Sequence, residues 1–403
     1  MDEAALHELL SGRRRDIGAR LLRCGLELAS WGYSSAMSLR NLAYRREWLR
    51  IHRASVPVIS LGNITTGGTG KTPLAAWLAN WLVAEGYQPG ILSRGYRTLD
   101  QGSMADSVGT RKRDMLKHNL PAVPELHRAI DIPILNPLSD AREPAVPGND
   151  EKLVLDRLCP GVPHLQRRDR VNSARQAIGE FGCDVLLLDD GFQHRRLHRD
   201  LDLVLIDALQ PWGYGHVLPR GLLREPVAGL RRADLVLITR ANQCSTEQRQ
   251  TLRTELQRIR GSDECIEVAF VPRQLVDQNW QSHSLGSVAG KKAFSFCGIG
   301  NPTGFSQTLA SLEVTCGRTH VFSDHHHYDE LDLSKLADFA RDLCAEVVFT
   351  TQKDLVKIPL ASWHGPPLFA VEIGVEFVNG AELLELRLRQ LFDRTTEQLA
   401  NSK

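Results

Sequence analysis

The sequence predicts an α/β protein: a doubly wound, mostly parallel sheet, a second and smaller α/β unit after it, and an amphipathic helical segment before it. Three observations carry this. Short runs rich in Val, Ile and Leu recur between residues 55 and 240 on both parities, as in strands buried on both faces. Helical stretches alternate with them. A glycine-rich turn joins the first run to a helix.

Residues 1–54 are set apart by charge. Ten arginines lie between Gly12 and Arg53 against three acids, Asp16, Glu27 and Glu47. Ile17, Leu21 and Leu28 fall near helical spacing, with Leu22, Leu26 and Ala29 alongside, and Trp31, Tyr33, Tyr44 and Trp48 add amphipathic rings. The composition suits a basic helix lying in a lipid interface, and equally an ordinary surface helix packed on its own domain.

Residues 55–261 form the expected nucleotide-binding unit. Its strand candidates are Val56–Leu61, Gly90–Ser93, Val185–Leu188, Leu203–Ile206 and Leu235–Ile238. From about Leu99 to Pro147 the chain is polar and proline-bearing with little periodicity, which reads as a long loop or insertion. Ser245–Ile259 reads as a helix with Ser245 and Gln248 placed for a capping box. Residues 262–403 form the smaller unit, with strands near Ala293–Cys297, Val347–Thr350 and Leu368–Ile373 and a terminal helix Ala381–Phe392.

Bulk composition narrows the function classes. The formal net charge is +1 over 403 residues, so nothing global points to nucleic acid. The eight cysteines are scattered, without a C-x-x-C pair or zinc spacing, as in a reduced cytosolic protein. No apolar run approaches the roughly 20 residues a spanning helix needs, and the N-terminus lacks a secretory h-region.

The chemistry concentrates in two motifs. Thr65, Thr66, Gly67, Gly68, Thr69, Gly70, Lys71 and Thr72 follow the strand candidate Val56–Leu61 and precede a helix beginning near Pro73. Such a loop turns backbone N–H groups onto phosphate oxygens, and the helix adds its positive end. Lys71 is placed to neutralise β- and γ-phosphates, and the Thr72 hydroxyl to ligate Mg²⁺. The strict P-loop pattern has Gly where Thr65 stands, so this is a variant. The second motif, Val185 to His194, is an apolar strand ending in Asp189 and Asp190, where a P-loop enzyme holds its metal. A kinase of this type also needs a group to take or steer the acceptor's proton. Two patches offer one: Gly148-Asn149-Asp150-Glu151 and Asp324-His325-His326-His327-Tyr328. By residue type alone, Asp150 also reads as a helix cap and the histidine tract as a metal-trapping surface.

These residues resemble the tetraacyldisaccharide 4'-kinase (lipid A 4'-kinase) family, from about residue 17 to about 375. The resemblance rests on Val58–Asn63 running into Gly67–Pro73, then Ser93-Arg94-Gly95-Tyr96, Asp189–His194, Leu218–Gly221 with Leu223–Pro226, Gly298–Pro302, Asp324–Tyr328 and Thr351–Asp354. The variant P-loop belongs to the family pattern. The resemblance implies transfer of the γ-phosphate of ATP, with Mg²⁺, to the 4'-hydroxyl of a tetraacylated disaccharide 1-phosphate, giving lipid IVA. It implies a peripheral protein on the cytoplasmic face of the bacterial inner membrane, held by anionic lipid, with no obligate protein partner. It makes Asp150 the base, assisted by His325 across a cleft that closes before transfer, with Glu151, Arg170, Gln193, Arg224 and Asp324 around the substrates. The acid block departs from the family's G-D-E-P by an inserted Asn149 and a missing proline, which leaves Asp140 and Asp169 as fallback bases. Alternative readings are a P-loop kinase for another sugar or small alcohol, and a nucleotide-dependent switch or metallochaperone using the histidine tract.

Overall fold

The computed structural model describes residues 3–95, 149–317, 319–359 and 362–401. The polar stretch around 99–147, with Asp140, Tyr96 and Gly148, lies outside the described residues.

Helices α1 (Glu3–Ser11) and α2 (Ile17–Arg45) precede β1 (Val58–Asn63), which leads through the glycine-rich loop into α3 (Lys71–Ala84) and then β2 (Pro89–Ser93). Next come α4 (Asp150–Leu158), β3 (His164–Gln166), α5 (Arg170–Gly179), β4 (Val185–Asp189), β5 (Leu201–Asp207), β6 (Leu235–Thr239) and α6 (Thr246–Arg260). The remainder supplies β7 (Cys265–Asp277), β8 (Ser282–His283), β9 (Lys292–Cys297), α7 (Pro302–Ala310), β10 (Thr315–Cys316) and β11 (His320–Val321). It ends with α8 (Glu330–Asp342), β12 (Val347–Thr351), α9 (Gln352–Leu355), β13 (Leu368–Asn379) and α10 (Ala381–Asn401).

The strands join in one sheet in the order β10-β9-β12-β13-β7-β6-β5-β1-β4-β2-β3. Every residue of β1, β4, β5 and β6 is buried, which is why their sequences show no in–out alternation. β1 lies between β4 and β5, parallel to both, and its register sets Leu61 beside Asp189. The root of the glycine-rich loop and the acidic end of β4 are thereby neighbours at the carboxyl edge of the sheet, where doubly wound folds bind ligands.

The sheet continues without a break past residue 261. β7 pairs parallel with β6 on one side and antiparallel with β13 on the other. Its length was not evident from the sequence because Pro272 interrupts the pattern: proline donates no ladder hydrogen bond, and the register with β13 shifts between Glu372 and Ile373. The terminal helix α10 turns back, so that Leu384, Leu388 and Phe392 share a core with Ile59 and Leu61 of β1 and with Leu201 and Leu203 of β5. A second core around Phe296, Leu333, Leu336 and Trp363 sits under α8.

α2 is a single long helix capped by Asp16, whose side chain accepts from the Ala19 N–H. Its inner face is tied down by Ser30 Oγ donating to the Val217 carbonyl at 2.8 Å and Tyr33 Oη to the Arg224 carbonyl at 2.9 Å. Its outer face leaves Ile17, Leu21, Leu28, Trp31 and Leu39 more than half exposed. Among the described residues no helix is long and apolar enough to cross a membrane.

At α6 the capping box is formed: the Gln248 N–H donates to Ser245 Oγ, and the Ser245 N–H to Gln248 Oε1. Gly261 closes the helix in the left-handed region, φ 78°. Since α6 seats Leu252 and Leu256 in the core beside β6, Ser245→Ala is expected to lower the stability of the protein by about 1 kcal/mol. Denaturant unfolding checks this; an unchanged midpoint and slope would show that the cap contributes nothing.

Candidate functional site

The phosphate loop is built from the backbone upward. Gly67 and Gly70 adopt φ 112° and 82°, values that glycine reaches without strain. At Gly70 a side chain is excluded twice over, because a Cβ there would lie 2.1 Å from the Phe270 ring. Lys71 and Thr72 open α3 directly behind this turn. Side chains hold the loop in shape: Asn63 Nδ2 donates to Thr69 Oγ1 at 3.1 Å, and Arg240 Nη2 donates to the Gly68 carbonyl at 2.5 Å. The Thr66 N–H donates to the Leu222 carbonyl at 2.7 Å, tying the loop to the segment before Arg224. Arg240 is itself paired with Asp207 at the end of β5. The sequence reading did not single out Arg240 or Asp207; the available signal was their place at the carboxyl ends of β6 and β5.

Opposite the loop stand two adjacent acids in different circumstances. Asp190 follows β4 with φ 51°, a conformation uncommon for a residue with a side chain. Its carboxylate meets Lys71 Nζ at 3.3 Å and accepts from Arg224 Nη1 at 2.7 Å through both oxygens. Burial opposes its ionisation, but Lys71 and Arg224 outweigh burial and hold Asp190 well below the usual carboxylate range. Asp189 goes the other way. Burial pushes its carboxyl up, beyond what Lys71 offsets. Its Oδ1 is shielded from solvent and has no hydrogen-bond partner. A buried carboxylate oxygen without a donor is costly unless a cation meets it, so the donor set fits a hard ion such as Mg²⁺, with the half-buried Thr72 in the facing helix. Arg170 is buried behind this pair and donates to the Asp189 carbonyl at 2.9 Å.

The second patch comes from both halves of the sheet. Asn149, not Asp150, caps α4, its Oδ1 accepting from the Glu151 N–H at 2.9 Å. Asn149 thus takes the capping position, while Asp150, the first residue of the helix, shares the Glu151 N–H through its Oδ1 at 2.9 Å and turns its Oδ2 away. Asp150 Oδ2 lies 2.8 Å from His325 Nδ1. His325 is presented by a tight turn, φ 61°, whose N–H donates to the Gly298 carbonyl at 3.1 Å. Burial would raise the Asp150 pKa, but His325 and Lys353 prevail and keep it low; the bond to Asp150 in turn raises that of His325. Beside them Lys353 Nζ donates to Glu151 Oε1 at 2.8 Å. Burial works against both charges; each partner restores the other, with Glu151 held low and Lys353 high. Glu151 also lies within electrostatic reach of Lys71 and Asp189, so the two patches share one field.

The remaining candidates divide. Gln193 Nε2 donates to the Asn63 carbonyl at 2.8 Å and to Glu225 Oε1 at 2.9 Å, supporting the loop. Asp324 accepts from the His325 N–H and stays largely exposed, its Oδ2 3.8 Å from His325 Nε2. His326 turns away to Asp332 at 2.8 Å. The tract therefore does not converge, and among the described residues no group of three or more His, Cys, Asp or Glu is arranged to hold a metal. Asp169 caps α5 and pairs with Arg196, so this fallback base is engaged elsewhere. Lys353 and Glu225 stood in recognised motifs, but no spacing rule indicated their ion pairs.

Comparison with known proteins agrees with this geometry. The family model for tetraacyldisaccharide-1-P 4'-kinase matches residues 22–114 and 135–392. A tetraacyldisaccharide 4'-kinase of Anaeromyxobacter dehalogenans (strain 2CP-C) is 36% identical over 368 residues, covering 90% of this chain and 89% of its own. One from Syntrophus aciditrophicus (strain SB) is 36% identical over 373 residues, covering 90% and 92%. Among solved structures, the LpxK of Aquifex aeolicus in complex with ATP superposes with a TM-score of 0.66 at 25% identity, covering 92% of this chain and 99% of that one. With a family match over most of its length, supported by relatives matched over about nine-tenths of both chains, the chain belongs to the tetraacyldisaccharide-1-P 4'-kinase family.

Proposed function

We propose that this protein transfers the γ-phosphate of ATP, with Mg²⁺, to the 4'-hydroxyl of a lipid-linked tetraacylated disaccharide 1-phosphate, giving lipid IVA at a membrane surface. The observation that carries the reading is the meeting of Lys71–Asp190 with Asp150–His325 through the shared field of Glu151. One pair suits the donor's triphosphate and the other the acceptor's hydroxyl. The work divides along the chain as 1–54, 55–261 and 262–403: a membrane-surface segment, the unit carrying the loop and the paired acids, and the unit supplying His325 and Lys353.

The loop N–H groups and Lys71 bind the β- and γ-phosphates. Thr72, Asp189 and Asp190 would hold Mg²⁺, and the ion would supply neutralisation of the phosphate charge. Arg224, already turned to Asp190, can follow the charge onto the transferring phosphoryl group. Arg170 props Asp189 from behind. Asp150 takes the proton of the 4'-hydroxyl as its oxygen bonds to phosphorus and ADP leaves. A carboxylate held low is a weak base. That suits phosphoryl transfer, in which bonding to the nucleophile lags and the proton departs late. His325 fixes the direction of the accepting oxygen, and Glu151 and Asp324 border the sugar.

The acceptor is an amphiphile, so the site must be brought to a bilayer. The exposed stripe Ile17, Leu21, Leu28, Trp31 and Leu39 on α2, among the arginines of residues 13–53, supports peripheral attachment. Each arginine close to an anionic leaflet adds about 1 kcal/mol before screening and ordering costs.

Three outcomes are expected. Asp150→Asn should lower turnover by about 10²- to 10⁴-fold with the KM for ATP nearly unchanged; steady-state assays returning near-normal turnover would move the base elsewhere. The Asp150–His325 pair should also leave a stability signature. Asp150, held low, contributes above its ordinary 3.8 and loses this as pH falls through its lowered value. His325, held high, contributes fully below its ordinary 6.5 and loses this as pH rises through its raised value. The stability difference between wild type and His325→Gln is therefore expected to peak between 3.8 and 6.5 and shrink above; urea titrations giving a difference flat across neutral pH would contradict the bond. Finally, the protein should float with phosphatidylglycerol vesicles and less so with charges replacing Leu21 and Leu28. Unchanged flotation of that variant would remove α2 from the membrane contact.

A further inference from the structure

Asp354 is a fully buried carboxylate to which the chemistry above gives no task. It lies on α9, which follows β12 directly, and β12 runs parallel to β9. The carboxyl ends of these strands bring Asp354 against Gly298, the first residue after β9. Asp354 Oδ2 accepts from the Gly298 N–H at 3.0 Å and from Thr351 Oγ1 at 2.7 Å. Its Oδ1 meets Lys357 Nζ at 2.9 Å, and that ammonium lies 5.4 Å from the Tyr328 ring centroid. Replacing a buried carboxylate–ammonium pair by apolar side chains of similar volume often leaves a fold as stable, so the pair calls for a reason beyond stability.

That reason lies one residue along the chain of bonds. Gly298 donates its N–H to Asp354, and its carbonyl accepts the His325 N–H at 3.1 Å, shared with Asp324 Oδ1 at 3.0 Å. The turn bearing His325 is fastened to the end of β9 through this bond and through the Phe322 N–H on the Cys297 carbonyl at 2.8 Å. His325 holds φ 61°, unfavourable for a residue with a side chain, and such a conformation persists only where its surroundings impose it. Space at Gly298 is tight: a Cβ there would lie 3.1 Å from His326 Cβ and from the Ser323 carbonyl, and 3.2 Å from Asp354 Oδ1. The carboxylate, the glycine and the turn therefore have little room to move independently. Lys353, next in the chain to Asp354, donates to Glu151. One short helix thus makes one contact between the halves directly and steadies the other through Gly298.

We infer that Asp354 is a positioning residue: through the Gly298 peptide it sets the turn that aims His325 Nδ1 at Asp150. The inference rests on the kinase reading above and names a residue on which its base depends. The bonds of Asp354 run to Gly298, Thr351 and Lys357, so its effect falls on turnover and not on nucleotide binding.

The test removes the charge pair with its volume kept, so that no buried ammonium is left alone. Asp354→Leu with Lys357→Met deletes the acceptor for the Gly298 N–H; Asp354→Asn with Lys357→Met keeps one. Both are assayed with ATP and the tetraacylated disaccharide 1-phosphate, in wild type and in His325→Gln. The leucine pair is expected to lose about 10- to 100-fold in kcat, with the KM for ATP within about twofold. The asparagine pair should recover most of that loss. In His325→Gln the leucine pair should add less than about a threefold loss, because residues that act as a unit are not additive. A second readout needs no turnover. The His325 imidazole, followed by NMR of labelled histidine and assigned by its loss in His325→Gln, feels Asp150, Asp324 and Lys353; its raised pKa should fall toward the ordinary 6.5 in the leucine pair. Losses that multiply in His325→Gln, equal losses in the two pairs, or an unmoved imidazole would overturn the inference. A parallel loss of ATP affinity would mark a merely structural role and overturn it as well. If the leucine pair fails to fold, Thr351→Val carries the comparison: it removes the hydroxyl on Asp354 Oδ2 and should lose about threefold, with no loss in His325→Gln. Wild type inactive on the acylated disaccharide would sink the kinase reading and this role with it. An active wild type whose variants match it would sink only the role.

Discussion

The architecture of the site depends on how a short run of buried charge is balanced at the end of β4. Asp189 and Asp190 are adjacent, yet one is sheltered without a donor for its Oδ1 and the other is gripped by Lys71 and Arg224. The positive φ of Asp190 turns its carboxylate out of the strand direction toward those cations. Lys71 reaches it only because Gly70 lets the chain enter α3 against Phe270. Removing one partner of such a buried set leaves the others uncompensated, which is far costlier than the pair is stabilising. The loop, the sheltered Asp189 carboxylate and the Arg224 guanidinium are thus set by one arrangement.

The second half of the site reaches that arrangement through the sheet. β7 and β13 carry the strand order from the nucleotide half to the half bearing His325 and Lys353 without a gap. At the site itself the two halves meet through polar contacts, Asp150 with His325 and Glu151 with Lys353. Charge-assisted bonds of this kind are directional and can open and close, as an acceptor that enters and leaves requires.

Much of this was legible in the sequence where the cause is local. Uniformly apolar runs identified the buried parallel strands, and Ser245 with Gln248 announced the start of α6. Glycines before Lys71 marked a backbone that must take positive φ. What stayed hidden was non-local. β7 is broken by Pro272 and exists as one long strand because two neighbours pair with it. That α10 packs beside β5 and not on the second core cannot be read from its apolar spacing, which fixes a face but not a partner. Arg240 bonding the Gly68 carbonyl, and Glu225 joining α2 to Gln193, depend on chain segments far apart in sequence. Asp150 was proposed through resemblance; that its Oδ2 turns from the helix end to His325 became visible only with Asn149 as the cap.

The most direct test of the account is calorimetric titration of folded protein with ATP in the presence and absence of Mg²⁺. Saturable binding that strengthens with Mg²⁺ in wild type, and loses that Mg²⁺ dependence in Asp189→Asn, is the expected result. No measurable affinity for any purine triphosphate would contradict the account at its foundation.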